Sequence, residues 1–361
     1  MGSSPFCLDL GSQPSSAEQP DFPTQSSDTF AISKNDFEIV SLIGYGHSGT
    51  IVQLVKSRES GDYFAMKTIE KWSLIEKRNT GDTKAIDRAN VERDVHVSLN
   101  EGLPSVECPY FVKFFSSFQC PRNLYFILEY CPYDVLEYIN QFGPLSVSEG
   151  LLFFAEVAVA VEFLHEAGTI HRDIKMDNIL ISLGGHVRLS DFGSSKRVES
   201  QEQRSDSIVG FSLSIMPPEF FNGTPSYGSA VDWYQVGICV FEALTGVPPF
   251  HGTPLKSVYA EEYPPLWPDS VEIPDEVKDL VEALLHPDET ERMRDLASIK
   301  SHPAMLGIAW GAVDEGSSSN QPFINVDPDG VRFVTPRMMS SVSDLDFDPL
   351  PFKSFSFIRK Q

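Results

Sequence analysis

The length and composition of the chain allow a large folded domain and argue against several classes of protein. The 361 residues are 41% hydrophobic, enough to build a core, and the formal net charge is -23. That charge disfavours nucleic acid and anionic membranes and favours basic partners, although acidity that serves only solubility is an equally good interpretation. We expect no transmembrane segment, because the apolar run 151–164 is interrupted by Glu156 and Glu162.

The cysteines and the first residues bear on the cellular compartment. Five cysteines, an odd number without CxxC spacing, argue against a disulfide framework and a zinc site. We therefore expect a reducing compartment, cytoplasmic or alternatively nuclear. The start "MGSSPFC" resembles a myristoylation signal, but Phe6 stands where Ser or Thr is required, which argues against lipidation.

The first elements predicted along the chain are strands. Residues 1–33 are rich in Ser, Pro and Gln without periodicity, and we expect them to be disordered. Residues 37–70 contain short β-branched and aromatic runs separated by Gly and Ser turns, which predict an antiparallel sheet. The apolar spacing of residues 87–101 predicts a helix, and "LYFILEY" (124–130) predicts a buried strand.

The second half of the chain is predicted to be mostly helical. "LLFFAEVAVAVEFLHEAG" ends at Gly168 as a helix should, and residues 231–244 have the same apolar character. These patterns predict an α+β fold with a small antiparallel β-rich lobe (37–130) and a larger helical lobe (135–302). The tail, 303–361, is rich in Ser, Asp and Pro, yet its end "FKSFSFIRKQ" is too aromatic for an inert segment.

A glycine-rich motif lies near the start of the predicted sheet. "GYGHSGTI" holds Gly44, Gly46 and Gly49 in the GxGxxG arrangement, which lets backbone N–H groups approach phosphates. In a dinucleotide-binding oxidoreductase the motif would open a helix, whereas here the strand pattern "TIVQLV" follows. The context favours a glycine-rich hairpin that covers a bound nucleotide. A plain hairpin turn is the alternative.

A lysine follows the hairpin on the next predicted strand. Lys67 in "FAMK" is flanked by residues that should be buried, and a half-buried ammonium requires an anion. Glu92, on the following helix, is the natural candidate. The alternative is that both are ordinary surface charges.

The most informative stretch is "HRDIKMDN", followed by "DFG". Burying Asp173, Lys175 and Asp177 between apolar neighbours costs several kcal/mol unless the charges are paired or bind a metal. Phosphoryl transfer requires this arrangement, and here the sequence resembles the eukaryotic protein kinases. Lys175, two residues after Asp173, resembles the serine/threonine-specific members.

The resemblance implies a two-lobed protein kinase fold and a set of site residues. Asp173 would accept or orient the proton of the substrate hydroxyl, and Lys175 would neutralise charge on the transferred phosphate. Asn178 and Asp191 would hold the Mg²⁺ ions that bridge the phosphates of ATP, and Lys67 would pair with Glu92. The remaining residues implied at the nucleotide are Gly44, Gly46, Gly49, Ile51, Ala65, Leu180 and the backbone of Glu129 and Cys131. The three apolar residues are equally well explained as plain core.

Further motifs resemble structural parts of the family. "MPPEF" resembles the family's APE motif, which implies that Glu219 pairs with Arg292. "VDWYQVG" implies that Asp232 braces the backbone of the catalytic loop. Against the pattern, Ser48 replaces an aromatic tip of the glycine loop. His96 stands where an apolar residue near Phe192 is usual, which leaves a protonation switch or a neutral core histidine.

Within the kinases, "YFAMKTIEK" and "GHVRLSDFGSSK" resemble the AGC group. The "FVTPRM" segment resembles the turn motif of that group's tail, with Thr335 as phosphate acceptor. "FKSFSF" resembles its hydrophobic motif, with Phe352 and Phe355 as anchors and Ser356 as acceptor, although a merely sticky end is the alternative. "VERDVHVSL" and "YFVKFFSSFQ" look most like the 3-phosphoinositide-dependent protein kinase, whose typical member lacks its own hydrophobic motif. The subgroup stays open.

Two acidic residues bear on the substrate. Asp177 and Glu242 match positions at which AGC kinases bind Arg before the acceptor, which predicts protein substrates with basic residues near the Ser or Thr. Asp177 as a loop cap is an equally good interpretation. Ser207 in "SDSIVG" matches the activation-loop acceptor of an upstream kinase, where a phosphate would pair with Arg172.

The activation segment leaves one rival function open. "VGFSLSIMPPE" is one residue longer than usual, which places Phe211 or Ser212 where a Thr would contact Asp173. The sequence therefore predicts an active Ser/Thr kinase, with a catalytically inactive pseudokinase that binds nucleotide or a partner as the alternative.

Overall fold

The computed structural model describes residues 32–45, 50–101, 108–198, 204, 213–221, 226–250, 264–316, 321–327 and 355–358. The N-terminal segment predicted to be disordered lies outside these residues, except for its last two positions. Residues 33–361 form one unit, to which the description below is confined.

An antiparallel sheet dominates the first part of this unit. Within the described residues six strands hydrogen-bond in the order β1-β2-β3-β5-β4-β11, and short strands form two smaller sheets, β10-β7 and β6-β8-β9. The strands are β1 (Phe37–Tyr45), β2 (Thr50–Ser57), β3 (Tyr63–Glu70), β4 (Phe114–Gln119), β5 (Asn123–Glu129), β6 (Tyr133–Asp134), β7 (Thr169–Ile170), β8 (Ile179–Ile181), β9 (Val187–Leu189), β10 (Lys196–Arg197) and β11 (Phe357–Ile358).

Most of the described helices follow the strands β1–β5 in the chain. Two lie between β3 and β4, and the others come after β5. Those described are α1 (Lys71–Asn79), α2 (Ala85–Glu101), α3 (Val135–Phe142), α4 (Val147–Glu166), α5 (Ala230–Thr245), α6 (Asp275–Leu284), α7 (Leu296–Ser301) and α8 (Trp310–Asp314).

The two largest hydrophobic cores of the described residues lie mainly one in each lobe. Residues of the large sheet pack against α1 and α2 in the first core, which includes Phe114, Phe126 and Phe355. The second core is built around α4 and α5. These helices approach closely at Gly150, where an added Cβ would come within 2.4 Å of Leu244 Cδ2. Because Gly150 has no Cβ, the Leu244 side chain of α5 can pack directly against α4 without shifting.

The helix boundaries follow from local chemistry. Ser146 and Glu149 form a capping box at the start of α4, in which the Ser146 hydroxyl accepts from the Glu149 N–H and the Glu149 carboxylate accepts from the Ser146 N–H. The chain leaves this helix at Gly168, whose φ of 68° is the left-handed conformation that glycine adopts without strain.

Two polar braces predicted from the sequence are present in the helical lobe. The Arg292 guanidinium donates to both carboxylate oxygens of Glu219 at 2.9 Å each. The Asp232 carboxylate, fully buried at the start of α5, accepts from the backbone N–H groups of His171 (2.8 Å) and Arg172 (2.7 Å). These bonds fix the backbone just before Asp173.

The fold class predicted from the sequence is confirmed, including the antiparallel sheet, the main helix after it and the helical second lobe. Helix α1 was not predicted, because "KWSLIEKRN" has weak apolar periodicity. Strand β11 was not predicted either, since its pairing with β4 depends on the tertiary fold. No helix within the described residues is both long and apolar enough to cross a membrane.

Candidate active site

Lys67 is the meeting point of three elements. The strand β3 carries the lysine, α2 carries Glu92, and Asp191 follows β9. The Lys67 Nζ atom lies 2.6 Å from Glu92 Oε1 and 3.2 Å from Asp191 Oδ1. The Lys67–Glu92 pair predicted from the sequence is therefore formed, with Asp191 as a second anion on the same cation.

The charges of this group depend on one another. Burial alone would lower the pKa of Lys67, but the Asp191 and Glu92 carboxylates raise it above its usual value. Burial raises the pKa of Glu92 against the opposing effect of Lys67, whereas the Lys67 ammonium lowers the pKa of Asp191. The lysine therefore remains charged and keeps Asp191 ionised at neutral pH.

The catalytic loop brings Asp173, Lys175 and Asn178 of the "HRDIKMDN" motif together. The Lys175 ammonium lies 3.0 Å from Asp173 Oδ2. The Asn178 side-chain amide donates to the Asp173 carbonyl at 2.8 Å and to its Oδ2 at 3.0 Å. Asp173 is thereby fixed by a cation and an amide, and the Asn178 side-chain oxygen keeps its acceptor capacity.

Phe192 fixes the position of the neighbouring Asp191. Its ring is fully buried and meets the rings of His96 (5.0 Å between centroids), His171 (5.3 Å) and Phe111 (6.0 Å). Burial, and then the nearby Lys67 charge, lower the pKa of His96 to about 3. Of the two sequence interpretations of His96, the structure therefore favours the neutral core histidine.

A cavity of about 910 Å³ lies between the sheet and the catalytic loop. Residues predicted at a nucleotide or at the catalytic centre line it together: Gly44, Ala65, Lys67, Glu92, Glu129, Cys131, Asp173, Lys175, Asn178, Leu180 and Asp191. Asp177, predicted to bind substrate, lines it as well. Gly46 and Gly49 of the glycine motif, and Ser48, lie outside the described residues.

Ile51 is the exception, and its expected place is taken by a neighbour. The lining residues include Thr50 and Val52 but not Ile51. Side chains alternate along β2, and Val52 is paired with Lys67 whereas Ile51 is paired with Thr68. The register thus points Val52 into the cavity and Ile51 to the other face of the sheet.

The donor set at Asn178 and Asp191 fits magnesium. Mg²⁺ binds through one or two protein oxygens together with substrate phosphates, and it keeps several waters. Asp191 is ionised and its side chain is 46% exposed, while Asn178 offers an amide oxygen. Among the described residues no group of three or more His, Cys, Asp or Glu could hold a metal ion. Water and phosphate oxygens would complete the coordination.

An acidic cluster extends from the cavity towards α5. Asp177 lines the cavity and Glu242 lies on α5, and burial, followed by the Asp177 charge, raises the pKa of Glu242. Asp134 belongs to the same cluster, and burial followed by Asp177 raises its pKa to about 6. Sequence reasoning missed Asp134. An Asp directly before a helix signals a cap, and its carboxylate does accept from the Glu137 N–H at 2.7 Å.

Of the predicted regulatory residues, the structure describes only the last. Ser207 and Thr335 lie outside the described residues, as does Phe352. Ser356 is exposed, next to the fully buried Phe355. The Arg172 guanidinium, predicted to bind a phosphate at Ser207, donates here to the Ser194 carbonyl (2.6 Å) and the Tyr227 hydroxyl (2.9 Å).

Comparison with known proteins agrees with this geometry. The family model described as "Protein kinase domain" matches residues 37–305, and the chain belongs to that family. It is 31% identical over 350 residues to the probable serine/threonine protein kinase IRE4 of Arabidopsis thaliana, which covers 87% of this chain and 32% of the relative.

Two further relatives carry similar names. Identity to the human serine/threonine-protein kinase MRCK gamma is 30% over 305 residues, covering 81% of this chain and 19% of the relative. Identity to the Saccharomyces cerevisiae serine/threonine-protein kinase YPK1 is 31% over 284 residues, covering 77% and 39%. The chain thus spans two fifths or less of these three relatives. The resemblance to AGC-type serine/threonine kinases is confirmed.

Removing the Lys67 charge should make stability depend on pH. In Lys67→Met, Glu92 stays buried beside Asp191 without its cation, so its folded-state pKa rises further above the unfolded value. A carboxyl group with a raised folded-state pKa favours folding at low pH and loses that contribution as the pH rises. We expect a stability deficit against wild type of about 3 kcal/mol at pH 8 that shrinks towards pH 6.

Thermal melts at pH 6, 7 and 8 measure this effect. Lys56→Met on β2 is the matched control, since Lys56 lies over the Tyr63 ring rather than between carboxylates. A Lys67→Met deficit of equal size at pH 6 and pH 8 would show that Glu92 is not held in its charged form by Lys67.

Proposed function

We propose that the chain is an active serine/threonine protein kinase that transfers the γ-phosphate of Mg-ATP to Ser and Thr hydroxyls of proteins. The observation that carries this proposal is the contact of Lys67 with both Glu92 and Asp191, in the same cavity as Asp173. The names of the relatives support the acceptor class. The pseudokinase alternative finds no support, because the residues for transfer are assembled rather than separated.

Each residue has a chemical role in this transfer. Asp173 accepts the proton of the acceptor hydroxyl as the hydroxyl oxygen attacks the γ-phosphorus. The bond from the γ-phosphorus to the bridging oxygen breaks, ADP leaves, and Lys175 compensates the negative charge on the transferred group. The cavity lined by Ala65 and Leu180 receives the adenine, and Lys67 faces the phosphates. Asn178 and Asp191 would hold Mg²⁺, which would neutralise phosphate charge.

Replacing Asp173 by Asn tests the chemistry. The amide has the same shape but accepts no proton, so kcat for a peptide substrate should fall by about 10²- to 10⁴-fold. Titration calorimetry of Mg-ATP should give a nearly unchanged Kd, which serves as the folding control. A variant that phosphorylates peptide at the wild-type rate would overturn the proposed role of Asp173.

We also propose that the substrates carry basic residues near the acceptor. Glu242 and Asp177 are close enough to influence one another, and Asp134 adds a third carboxylate beside them. Gathering like charges at a partly buried surface is unfavourable unless a cation binds there. Arg is suited to this place because its guanidinium forms charge-assisted bonds with carboxylates.

The charge of Glu242 should determine this preference. Glu242→Gln should lower kcat/KM for an Arg-containing peptide by about tenfold, the value of one charge-assisted hydrogen bond. A peptide with Arg replaced by Ala should be phosphorylated equally by both enzymes. Glu276→Gln, at an exposed carboxylate of α6, is the matched control. An unchanged ratio between the two peptides would refute the assignment.

The tail is proposed to regulate the kinase through α2. Phe355 packs edge-on against Phe126 at 5.1 Å between centroids, and the Arg93 guanidinium of α2 lies 5.7 Å from the Phe355 centroid. The Ser117 hydroxyl donates to the Phe355 carbonyl at 2.6 Å. This contact holds the helix that carries Glu92. Phosphates on Ser356 and Thr335 would change the activity of the kinase. An upstream kinase would phosphorylate Ser207. We expect the enzyme to act in the cytoplasm or the nucleus.

Loss of the Phe355 ring should weaken this support. Phe355→Ala should lower kcat several-fold, because the tail end loses its buried anchor beside α2. Ile324→Ala is the control within the same tail, since Ile324 is 62% exposed. A synthetic peptide of residues 350–361 should restore part of the activity. Wild-type kcat in Phe355→Ala would exclude tail support of α2.

A further inference from the structure

An ion pair connects the two lobes next to the active-site cavity. The Arg188 guanidinium of β9 donates from Nε to Glu129 Oε2 at 2.8 Å, and Glu129 is the last residue of β5. The two side chains are only 12% and 17% exposed, so salt and solvent screen the pair weakly. The catalytic roles described above use neither the Arg188 side chain nor the Glu129 carboxylate.

Each member of the pair is held by a further hydrogen bond. The Arg188 Nη1 donates to the Val187 carbonyl at 2.9 Å, which fixes the direction of the guanidinium. Glu129 Oε2 also accepts from the Lys113 N–H at 3.2 Å. Among the described residues this oxygen thus has two donors, and only Arg188 carries a charge. Loss of Arg188 would leave a largely buried carboxylate with one neutral donor, which favours displacement of Glu129.

The backbone makes the same connection through the segment before β4. The Leu189 N–H of β9 donates to the Tyr110 carbonyl at 2.7 Å, and the Val112 N–H donates to the Leu189 carbonyl at 3.1 Å. The next residue of this segment, Lys113, accepts from the Glu129 N–H at 2.8 Å. The end of β5 is therefore connected to β9 twice, once through this segment and once through the ion pair.

The ion pair bears on two parts of the nucleotide site at once. Glu129 and Cys131 line the cavity, and the proposed function, on which this inference rests, places the base of ATP at their backbone. Asp191, which would hold Mg²⁺ at the phosphates, comes three residues after Arg188 and lines the same cavity. The Arg188–Glu129 contact therefore restrains the hinge, defined here as residues 129–131, relative to the strand that leads to Asp191.

A backbone that stays in place can distinguish adenine from guanine. Adenine carries an amino donor at the position where guanine carries the O6 acceptor. A carbonyl group only accepts, so a fixed carbonyl that suits the adenine amino group would meet guanine oxygen to oxygen, without a hydrogen between them. A hinge free to shift could present an N–H group instead and would lose this discrimination.

We propose that Arg188 is a positioning residue for the nucleotide base. Through the Glu129 carboxylate it holds the hinge against β9, and it thereby makes the kinase selective for ATP over GTP. A contact that served stability alone would affect unfolding but would leave the relative affinity for the two nucleotides unchanged. The ratio of the two dissociation constants therefore distinguishes these roles.

Displacement of a fluorescent ADP analogue from the full chain by Mg-ATP or Mg-GTP measures both dissociation constants without requiring catalysis. Arg188→Gln should raise the Kd for ATP by about tenfold, the value of one charge-assisted hydrogen bond. The Kd for GTP should change little, so the ratio of the GTP Kd to the ATP Kd should fall by about tenfold. Arg188→Lys keeps the charge without the planar guanidinium and should restore part of this ratio.

Two further variants complete the test. Glu129→Gln keeps the backbone at the base and removes the charge, so it should lower the ratio in the same way, and it decides the matter if Arg188→Gln does not fold. The double variant should bind ATP no more weakly than either single variant, because both remove one interaction. Arg58→Gln is the matched control, since Arg58 is exposed and donates to the Asn35 carbonyl rather than to a carboxylate.

The outcomes separate this inference from the proposed function. A wild-type ratio of the two Kd values in folded Arg188→Gln or Glu129→Gln would overturn the positioning role alone. Failure of the wild-type chain to bind Mg-ATP would overturn the proposed function and this inference with it.

Discussion

The site depends on one half-buried cation, Lys67, shared by two carboxylates. An ammonium with only one carboxylate partner would leave either Asp191 or Glu92 without compensation, and an uncompensated charge at such a position costs several kcal/mol. Because Glu92 belongs to α2 and Asp191 follows β9, the Lys67 contacts can form only when the sheet, the helix and the catalytic region are in register. The electrostatic contacts of Lys67 therefore report whether all three elements are correctly placed.

Hydrogen bonds and packing around the site stabilise this placement. Asp191 adopts φ 60° and Arg172 φ 72°, conformations that side-chain-bearing residues rarely adopt. The Asp232 carboxylate accepts a hydrogen bond from the Arg172 N–H. The buried Phe192 ring packs against His96 and His171. The strain at both backbone positions is therefore offset by hydrogen bonds and burial next to them, and the carboxylates of Asp173 and Asp191 face the same cavity.

Residues that act through their own chemical type could be predicted from the sequence. Asp173, Asn178 and Asp191 belong to polar motifs within apolar flanks, where a structural explanation alone would leave charges unpaired. Lys67 is a single charge between residues expected to be buried, which required an anion such as Glu92. Ile51 could not be placed correctly, because strand register decides between it and Val52, and a shift of one residue reverses the face. Asp134 was not predicted as a site residue because its position before a helix is already explained by capping. Strand β11 was not predicted because it pairs with residues far away in sequence.

Helix α2 contacts both the tail and Lys67 through two consecutive residues, Arg93 and Glu92. Successive helical positions differ by about 100° in direction, so Glu92 and Arg93 present their side chains to different surroundings. Glu92 contacts Lys67, while Arg93 lies over the Phe355 ring. A rotation of α2 that broke one contact would displace the other, since both side chains extend from one rigid segment. Burial of Phe355 against the sheet therefore restrains the same degree of freedom that places Glu92 at Lys67, and the two contacts stabilise one helix orientation.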